Sequence, residues 1–224
     1  YGAALREADR AVRLDPRNPF SHEVMGNVHH LATRHEAALE AYERALTLGS
    51  SDSLLTMRYR MSAWIATGRG ESAVAYAKRL ADRFPGDYRA LDWAGQSVQL
   101  SGRALESQKM LDSADAQSSA ILARNPSNLD AHLFRALILS RKGDFADAVA
   151  ELAAAEPLAP GSALVLYRRA NVLWIQNKKP EALQVLASAV SREFILPEIL
   201  GADFVYLAKE PEYAEAVTVP RQSP

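Results

Sequence analysis

The 224-residue chain contains no cysteine. That excludes disulfides, thiol catalysis and cysteine-ligated metal sites, but leaves the compartment open, because cysteine-free proteins occur in reducing and oxidising spaces alike. Long apolar runs are missing too: none approaches the roughly 20 residues needed to span a bilayer, so direct membrane insertion is not expected. Nor is there an excess of charge of either sign. Lys+Arg 26 against Asp+Glu 27 leaves a net charge of -1, which gives no global attraction to nucleic acid or to an acidic membrane surface. What is present is a hydrophobic fraction of 48% and a charged fraction of 24%, the composition of an ordinary globular chain. The chain therefore reads as soluble, cytoplasmic or periplasmic.

The most regular stretch is LDAHLFRALILSRKGDFADAVAELAAAEPLAP, Leu129 to Pro160. Apolar residues fall at Leu133, Leu137 and Ile138, break at Lys142-Gly143-Asp144, and resume at Phe145, Ala148, Val149 and Leu152. Spacings of three and four mark two amphipathic helices. Gly143 suits the left-handed position after a helix end, Asp144 is placed to cap the second helix, and Pro160 closes the unit. One hairpin cannot bury its own apolar stripes, so the pattern should recur. The small residue of the second helix returns as Ala4, Ala38, Ala73, Ser107, Ala148 and Ala182, in steps of 34, 35, 34, 41 and 34 residues. A small residue in the first helix returns as Gly26, Gly95, Ala136 and Ala170, with Met61 as the exception. Paired small side chains let two helices approach closely.

In these residues the chain resembles the tetratricopeptide repeat family. AALEAYERAL (Ala37 to Leu46) and GDFADAVAEL (Gly143 to Leu152) are the closest matches, and Pro16, Pro85, Pro126 and Pro160 fall where that family closes its repeats. The resemblance implies an all-α, right-handed superhelical solenoid of antiparallel helix hairpins. It departs from the family at Arg60, Arg135 and Arg169, in a slot usually filled by a large apolar residue, and at Ser50 and Phe194, which replace the closing proline. The arginine stems are expected to lie along neighbouring helices, with their heads reaching carboxylates or solvent.

Laid along the chain, the repeats predict one array over 1–217. A half repeat at 1–16 leads, full repeats follow at 19–51, 54–86, 88–126, 129–160 and 163–194, a cap covers 195–217, and 218–224 forms a loose tail. A leading half hairpin exposes an apolar face, so the chain reads as starting inside a longer protein. The long step between Ser107 and Pro126 keeps its phase through Leu111, Ala114, Ser118, Ile121 and Leu122. This predicts one helix over about 103–124, with its extra turns projecting past the edge of the array.

Signals for chemistry are sparse. GRGES at Gly68 to Ser72 lacks the preceding strand and the following Gly-Lys-Ser/Thr of a phosphate loop, and reads as a turn between helices. The five histidines, His22, His29, His30, His35 and His132, include no pair at i, i+4, so no metal site is expected. Carboxylates sit mostly beside Arg or Lys on polar helix faces, so neither catalysis nor a cofactor is expected. The resemblance implies a concave face made by the first helices. It would be lined by Phe20, Val24 and Asn27, then Arg58, Tyr59 and Ser62, then Arg89, Trp93 and Gln96, then Asp130, Phe134 and Leu137, and last Tyr167, Arg168, Asn171 and Trp174. Amides, aromatics and arginines of this kind suit an extended peptide. The carboxylate clamp of chaperone-binding members is matched only at Asn27, Arg89 and Asn171, with Glu23 where a lysine would stand, so that activity is not carried over. The expected function is a scaffold that holds a protein or peptide segment in this groove. The alternatives are a self-assembling structural module, with a homo-oligomer as its product, and a regulatory or sensor domain of a larger enzyme or transcription factor.

Overall fold

The computed structural model describes residues 2–51 and 53–192. The expected cap at 195–217, the tail at 218–224 and Phe194 lie outside the described residues. Among those described, eleven α-helices follow one another as antiparallel neighbours. A lone second helix, α1 (Gly2–Leu14), leads. The hairpins are α2 (Pro19–Leu31) with α3 (His35–Thr47), α4 (Leu54–Ala66) with α5 (Gly70–Arg83), α6 (Tyr88–Leu100) with α7 (Ala104–Arg124), α8 (Leu129–Lys142) with α9 (Phe145–Ala155), and α10 (Ala163–Ile175) with α11 (Lys179–Ser191).

The two helices of a hairpin start in different ways. Every first helix has a side-chain cap: Asn18 accepts from the Phe20 N–H at 3.0 Å, Ser53 from Thr56 at 3.1 Å, Asp87 from Arg89 at 2.9 Å, Asn128 from Ala131 at 3.0 Å and Ser162 from Leu164 at 3.2 Å. Burial pushes the Asp87 carboxyl up, but the hydrogen bonds it accepts from the Arg89 side chain and from the Arg89 and Ala90 N–H groups prevail and hold it below its ordinary range. Second helices have no such cap. They follow a turn whose left-handed residue is Thr33, Gly68, Gly102, Gly143 or Asn177. In each turn the N–H of the following residue reaches back five positions: Arg34 to His29, Arg69 to Trp64, Arg103 to Val98, Asp144 to Leu139 and Lys178 to Leu173, at 2.7 to 3.1 Å. Asp144 is therefore not the side-chain cap expected. It stands at the cap position, but its backbone N–H closes the preceding helix and its carboxylate makes no capping hydrogen bond.

The seam of each hairpin is a match of sizes. A Cβ built on Gly26 would overlap the Tyr42 ring, and one on Gly95 would come within 2.9 Å of Leu111 Cδ2. Where the second helix offers leucine, as at Leu152 and Leu186, the first offers alanine, as at Ala136 and Ala170, in the same buried clusters. Met61 fits the same rule in reverse, because the residue in the Tyr42 and Leu111 slot of its own hairpin is the small Ala77, and both are fully buried in one cluster. Close packing demands that volume lost on one side of a seam be restored on the other.

Helix α7 is a single helix of 21 residues, as the unbroken phase requires. Its last turns do not project freely: Ser118 and Leu122 are buried, the latter in one cluster with Ala131 and Phe134 of α8. The apolar stripe continues to the end of the helix and finds α8 to cover it. Charge ties the same pair together. Asp115 accepts from Arg135 at 2.9 Å and Lys142 at 2.8 Å, and Arg135 also reaches Glu151 of α9 at 2.5 Å. Burial alone would raise the Asp115 carboxyl, but the hydrogen bonds from Lys142 and Arg135 prevail and hold it below its ordinary value. Arg169 behaves in the same way, reaching Glu156 at 3.2 Å. Arg60 departs from the expectation of a head near solvent. It is fully enclosed, donates to the Tyr42 carbonyl at 2.8 Å and the Tyr76 hydroxyl at 3.2 Å, and lies within 6 Å of the Tyr42, Trp64 and Tyr76 rings. Three aromatic faces replace bulk water around the guanidinium.

The seam and the charge cluster can each be tested by substitution. Met61→Ala is expected to cost about 2 to 5 kcal/mol as a cavity, and Ala77→Leu about 1 to 3 kcal/mol as overpacking. The double variant should recover at least about 1 kcal/mol of their sum in urea unfolding; simple additivity would show that the two side chains do not share a seam. For Asp115, a folded pKa below the ordinary 3.8 means stability present above that value and lost as pH falls through the lowered one. Urea midpoints taken from pH 6 downward should therefore fall less steeply in Asp115→Asn than in the parent, and equal slopes would refute the assignment.

Candidate functional site

The face built by the first helices has a buried floor running across four hairpins. The Arg58 guanidinium lies 4.7 Å from the centroid of the Trp93 ring, Trp93 meets Phe134 edge-on at 6.0 Å, and Arg168 lies 4.7 Å over Phe134. One side chain each from α4, α6, α8 and α10 thus forms a row of cation, ring, ring, cation, none of the four more than 9% exposed. Such contacts are worth about 0.5 to 2 kcal/mol each, depending on desolvation. Alongside this row a carboxylate of α6, Asp92, is paired with Arg141 of α8, and both are buried.

These contacts redistribute the residues expected to line the groove. Arg58, Trp93, Phe134 and Arg168 come together, but as floor. Tyr59 and Tyr167 are corrections. Tyr59 is buried between hairpins, stacked on His30 of α2 at 4.9 Å beside Ala38 and Tyr42 of α3, and Tyr167 is 0% exposed beside Ala170 and Leu186, so both rings are core and not groove wall. Leu137 is likewise core, buried with Ala136 and Leu152. Their helical phase points into the packing between helices, which a pattern of aromatic and aliphatic residues does not reveal. Ser62 and Asn171 are buried at the floor, and Asn27 is half-buried, accepting from the Tyr42 hydroxyl at 2.9 Å. At the rim, Arg89 pairs with Asp87 at 3.0 Å and approaches Asp130 at 4.0 Å. Asp130 also accepts from Tyr88 at 2.5 Å, and burial together with this bond pushes the Tyr88 hydroxyl pKa up. Glu23 is occupied as well, accepting from Thr56 at 3.0 Å and from Ser50, the residue that stands in place of a closing proline.

What stays open above the floor is mostly uncharged. Phe20 is 68% exposed and, with half-buried Val24 and exposed Leu55, borders an open hollow of about 610 Å³ closed by Leu54 and Phe84. Further along, Gln96, Leu100, Trp174 and Ile175 surround a smaller cavity of about 140 Å³. The sequence pattern did not point to Leu55, Leu100 or Ile175, yet Leu100 and Ile175 lie one helical turn beyond Gln96 and Asn171 and are reached by extending that phase. A third hollow, about 580 Å³, lies on the side of the second helices, where Glu36, Glu40 and Glu43 of α3 face Arg60, Trp64 and Arg69. Among the described residues no helix is long and apolar enough to cross a membrane, and no three acidic or imidazole groups gather as a metal site.

Comparison with known proteins is informative about architecture. A family model described as tetratricopeptide repeat matches residues 1–53, 100–163 and 141–196. Yeast Tom70 superposes with a TM-score of 0.55 at 15% identity, covering 96% of this chain and 46% of Tom70. YrrB, described as a TPR protein with an unusual peptide-binding site, aligns with a TM-score of 0.45 at 17% identity over 90% of this chain and 97% of its own. A tetratricopeptide repeat protein from Parabacteroides merdae gives 0.40 at 17% identity, over 96% and 90% of the two chains. No curated protein matches the sequence.

The buried pair beside the floor gives a direct test of how the face is held. Removing one partner, as in Arg141→Met or Asp92→Asn, is expected to cost about 3 to 5 kcal/mol by breaking a buried ion pair. Replacing both with apolar residues should restore much of that loss in denaturant unfolding. A double variant as unstable as the sum of the singles would show that the two residues do not act as a pair.

Proposed function

Because the chain belongs to the tetratricopeptide repeat family, we propose that it is a protein-interaction scaffold whose first-helix face receives an extended, largely uncharged segment of a partner protein. The observation that carries this reading is the separation of floor from surface. Arg58, Trp93, Phe134 and Arg168 are stacked together across four hairpins, so the face is shaped before any partner arrives. Above it stand amides and apolar groups, Gln96, Leu100, Trp174, Phe20 and Leu55, which offer hydrogen bonds and apolar contact, with Glu23 and Arg83 also bordering the hollow at Phe20. A preshaped face lowers the ordering cost of association, so affinity rests on a few anchors.

Selection of peptides from a random library on the immobilised chain, followed by titration of the selected peptides, tests this. Truncating an anchor, half-buried Trp174→Ala or exposed Phe20→Ala, should weaken binding by roughly thirtyfold, the equivalent of about 2 kcal/mol. Charge reversal at Glu40, on the second-helix side, should leave it unchanged, with circular dichroism confirming the fold of each variant. Binding abolished by the Glu40 change and indifferent to the Trp174 and Phe20 changes would overturn the reading.

A further inference from the structure

Among the described second helices, α9 exposes the least charge. Ala148 of α9 and Ala38 of α3 hold the same place in the repeat, so Ala146, Ala150 and Ala153 stand where α3 carries Glu36, Glu40 and Glu43. All six are exposed. Val149 departs in the same direction, because its counterparts Leu39 and Val74 are only 7% and 2% exposed, whereas Val149 is 54% exposed. Phe145 at the start of the helix and Leu158, in the 3-10 turn Glu156–Leu158 that ends it, are exposed as well. Apart from Asp147, the charge on α9 is Glu151, and Glu151 is turned inward to Arg135 and His132. An apolar face left outside the core, at places where a sister helix carries carboxylates, marks a surface that another chain covers.

The charges at the two ends of this face decide what covers it. At the start stand Asp144 and Asp147, and Lys142 beside them is shared among Asp112, Asp115 and Asp144 at 3.2, 2.8 and 4.0 Å, so carboxylates are in excess there. At the far end two arginines stand against one carboxylate: Arg169 reaches Glu156 at 3.2 Å, and the exposed Arg192 donates to the Gly161 carbonyl at 2.7 Å. A face with an acidic end, an uncharged middle and a basic end is complementary to itself after half a turn, which is the condition for a two-fold contact between identical chains. We propose that α9 is a homodimer contact, pairing antiparallel with α9 of a second copy across an axis between Ala150 and Ala153. In that register Val149 lies over the partner's Ala154, alanines let the helices approach closely at the axis, and Asp147 meets the partner's arginine end. A parallel pairing would set like charges together. The face is about 20 Å by 10 Å, less than the roughly 800 Å² that each partner of a standard interface buries, so the dimer should be weak and concentration-dependent. The contact lies on the second-helix side and does not rest on the groove reading.

Sedimentation velocity of the full chain, from micromolar to about millimolar concentration, should show the mass rising toward that of a dimer and no further, because a two-fold contact closes on itself. Ala150→Glu, an exposed change that sets two carboxylates across the axis, should keep the chain monomeric over the same range with the circular dichroism of the parent. The charge pattern is tested by exchange. Asp147→Arg and Arg192→Asp should each weaken association by about tenfold, since symmetry counts each contact twice, and the two changes together should return it to near the parent level. Trp174→Ala and Phe20→Ala, on the first-helix face, should leave it unchanged, so loss of self-association and loss of peptide binding are read separately. A mass that stays monomeric, a mass that climbs past the dimer, association indifferent to Ala150→Glu, or a double exchange no better than the single ones would each overturn the contact.

Discussion

Every hairpin in this protein depends on one contact, the meeting of a small residue on one helix with a larger one on its partner. The rule is visible in its variations. Tyr42 is the largest side chain in the second-helix slot, and only glycine, Gly26, can face it. Leucine at Leu152 or Leu186 leaves room for alanine, and Ala77 demands Met61. What recurs along the array is a larger residue on one helix met by a smaller one on its partner, whichever helix carries it. Because no hairpin buries its apolar stripes alone, the seam also fixes how far each first helix stands from the next, and so fixes the spacing of every side chain on the first-helix face.

Helix α7 shows how the array absorbs a disturbance of that spacing. Its additional turns keep their three-four phase, so Ser118 and Leu122 are buried in line with Leu111 and Ala114. The added length also brings Asp115 to Arg135 and Lys142, both on α8. Elsewhere neighbouring second helices are joined by lighter bridges, such as Glu36 with Arg69 and Glu71 with Arg103, at equivalent places one repeat apart. Those pairs are exposed and worth little. The half-buried group around Asp115 is the stronger tie, and it falls where the period is broken.

Capping residues and left-handed glycines act within a few positions of themselves, so Asn18, Ser162, Gly143 and the turn in GRGES are legible from the amino-acid sequence alone. Asp144 is not, because its role passes to the backbone: the same turn can be closed by an N–H as well as by a carboxylate. Tyr59 and Tyr167 escape a sequence reading for a different reason. Side chains one position apart on a helix point about 100° apart, and that small step separates a residue over the groove from one in the seam. The row from Arg58 to Arg168 is not legible as a row at all, because its contacts join side chains of different repeats and none is implied by local pattern.

That row also bears on what the first-helix face is able to do. Arginines in a peptide groove ordinarily promise attraction for acidic partners, and a count of Arg58, Arg141 and Arg168 would suggest one here. Their charges are engaged within the floor, Arg58 and Arg168 over aromatic faces and Arg141 against Asp92. Those contacts hold each arginine in place, because moving any one toward a ligand would strip a ring or expose a carboxylate in a site of low dielectric. On the reading proposed above, a partner meets Gln96, Trp174 and the apolar groups around them, while the arginines beneath shape the face.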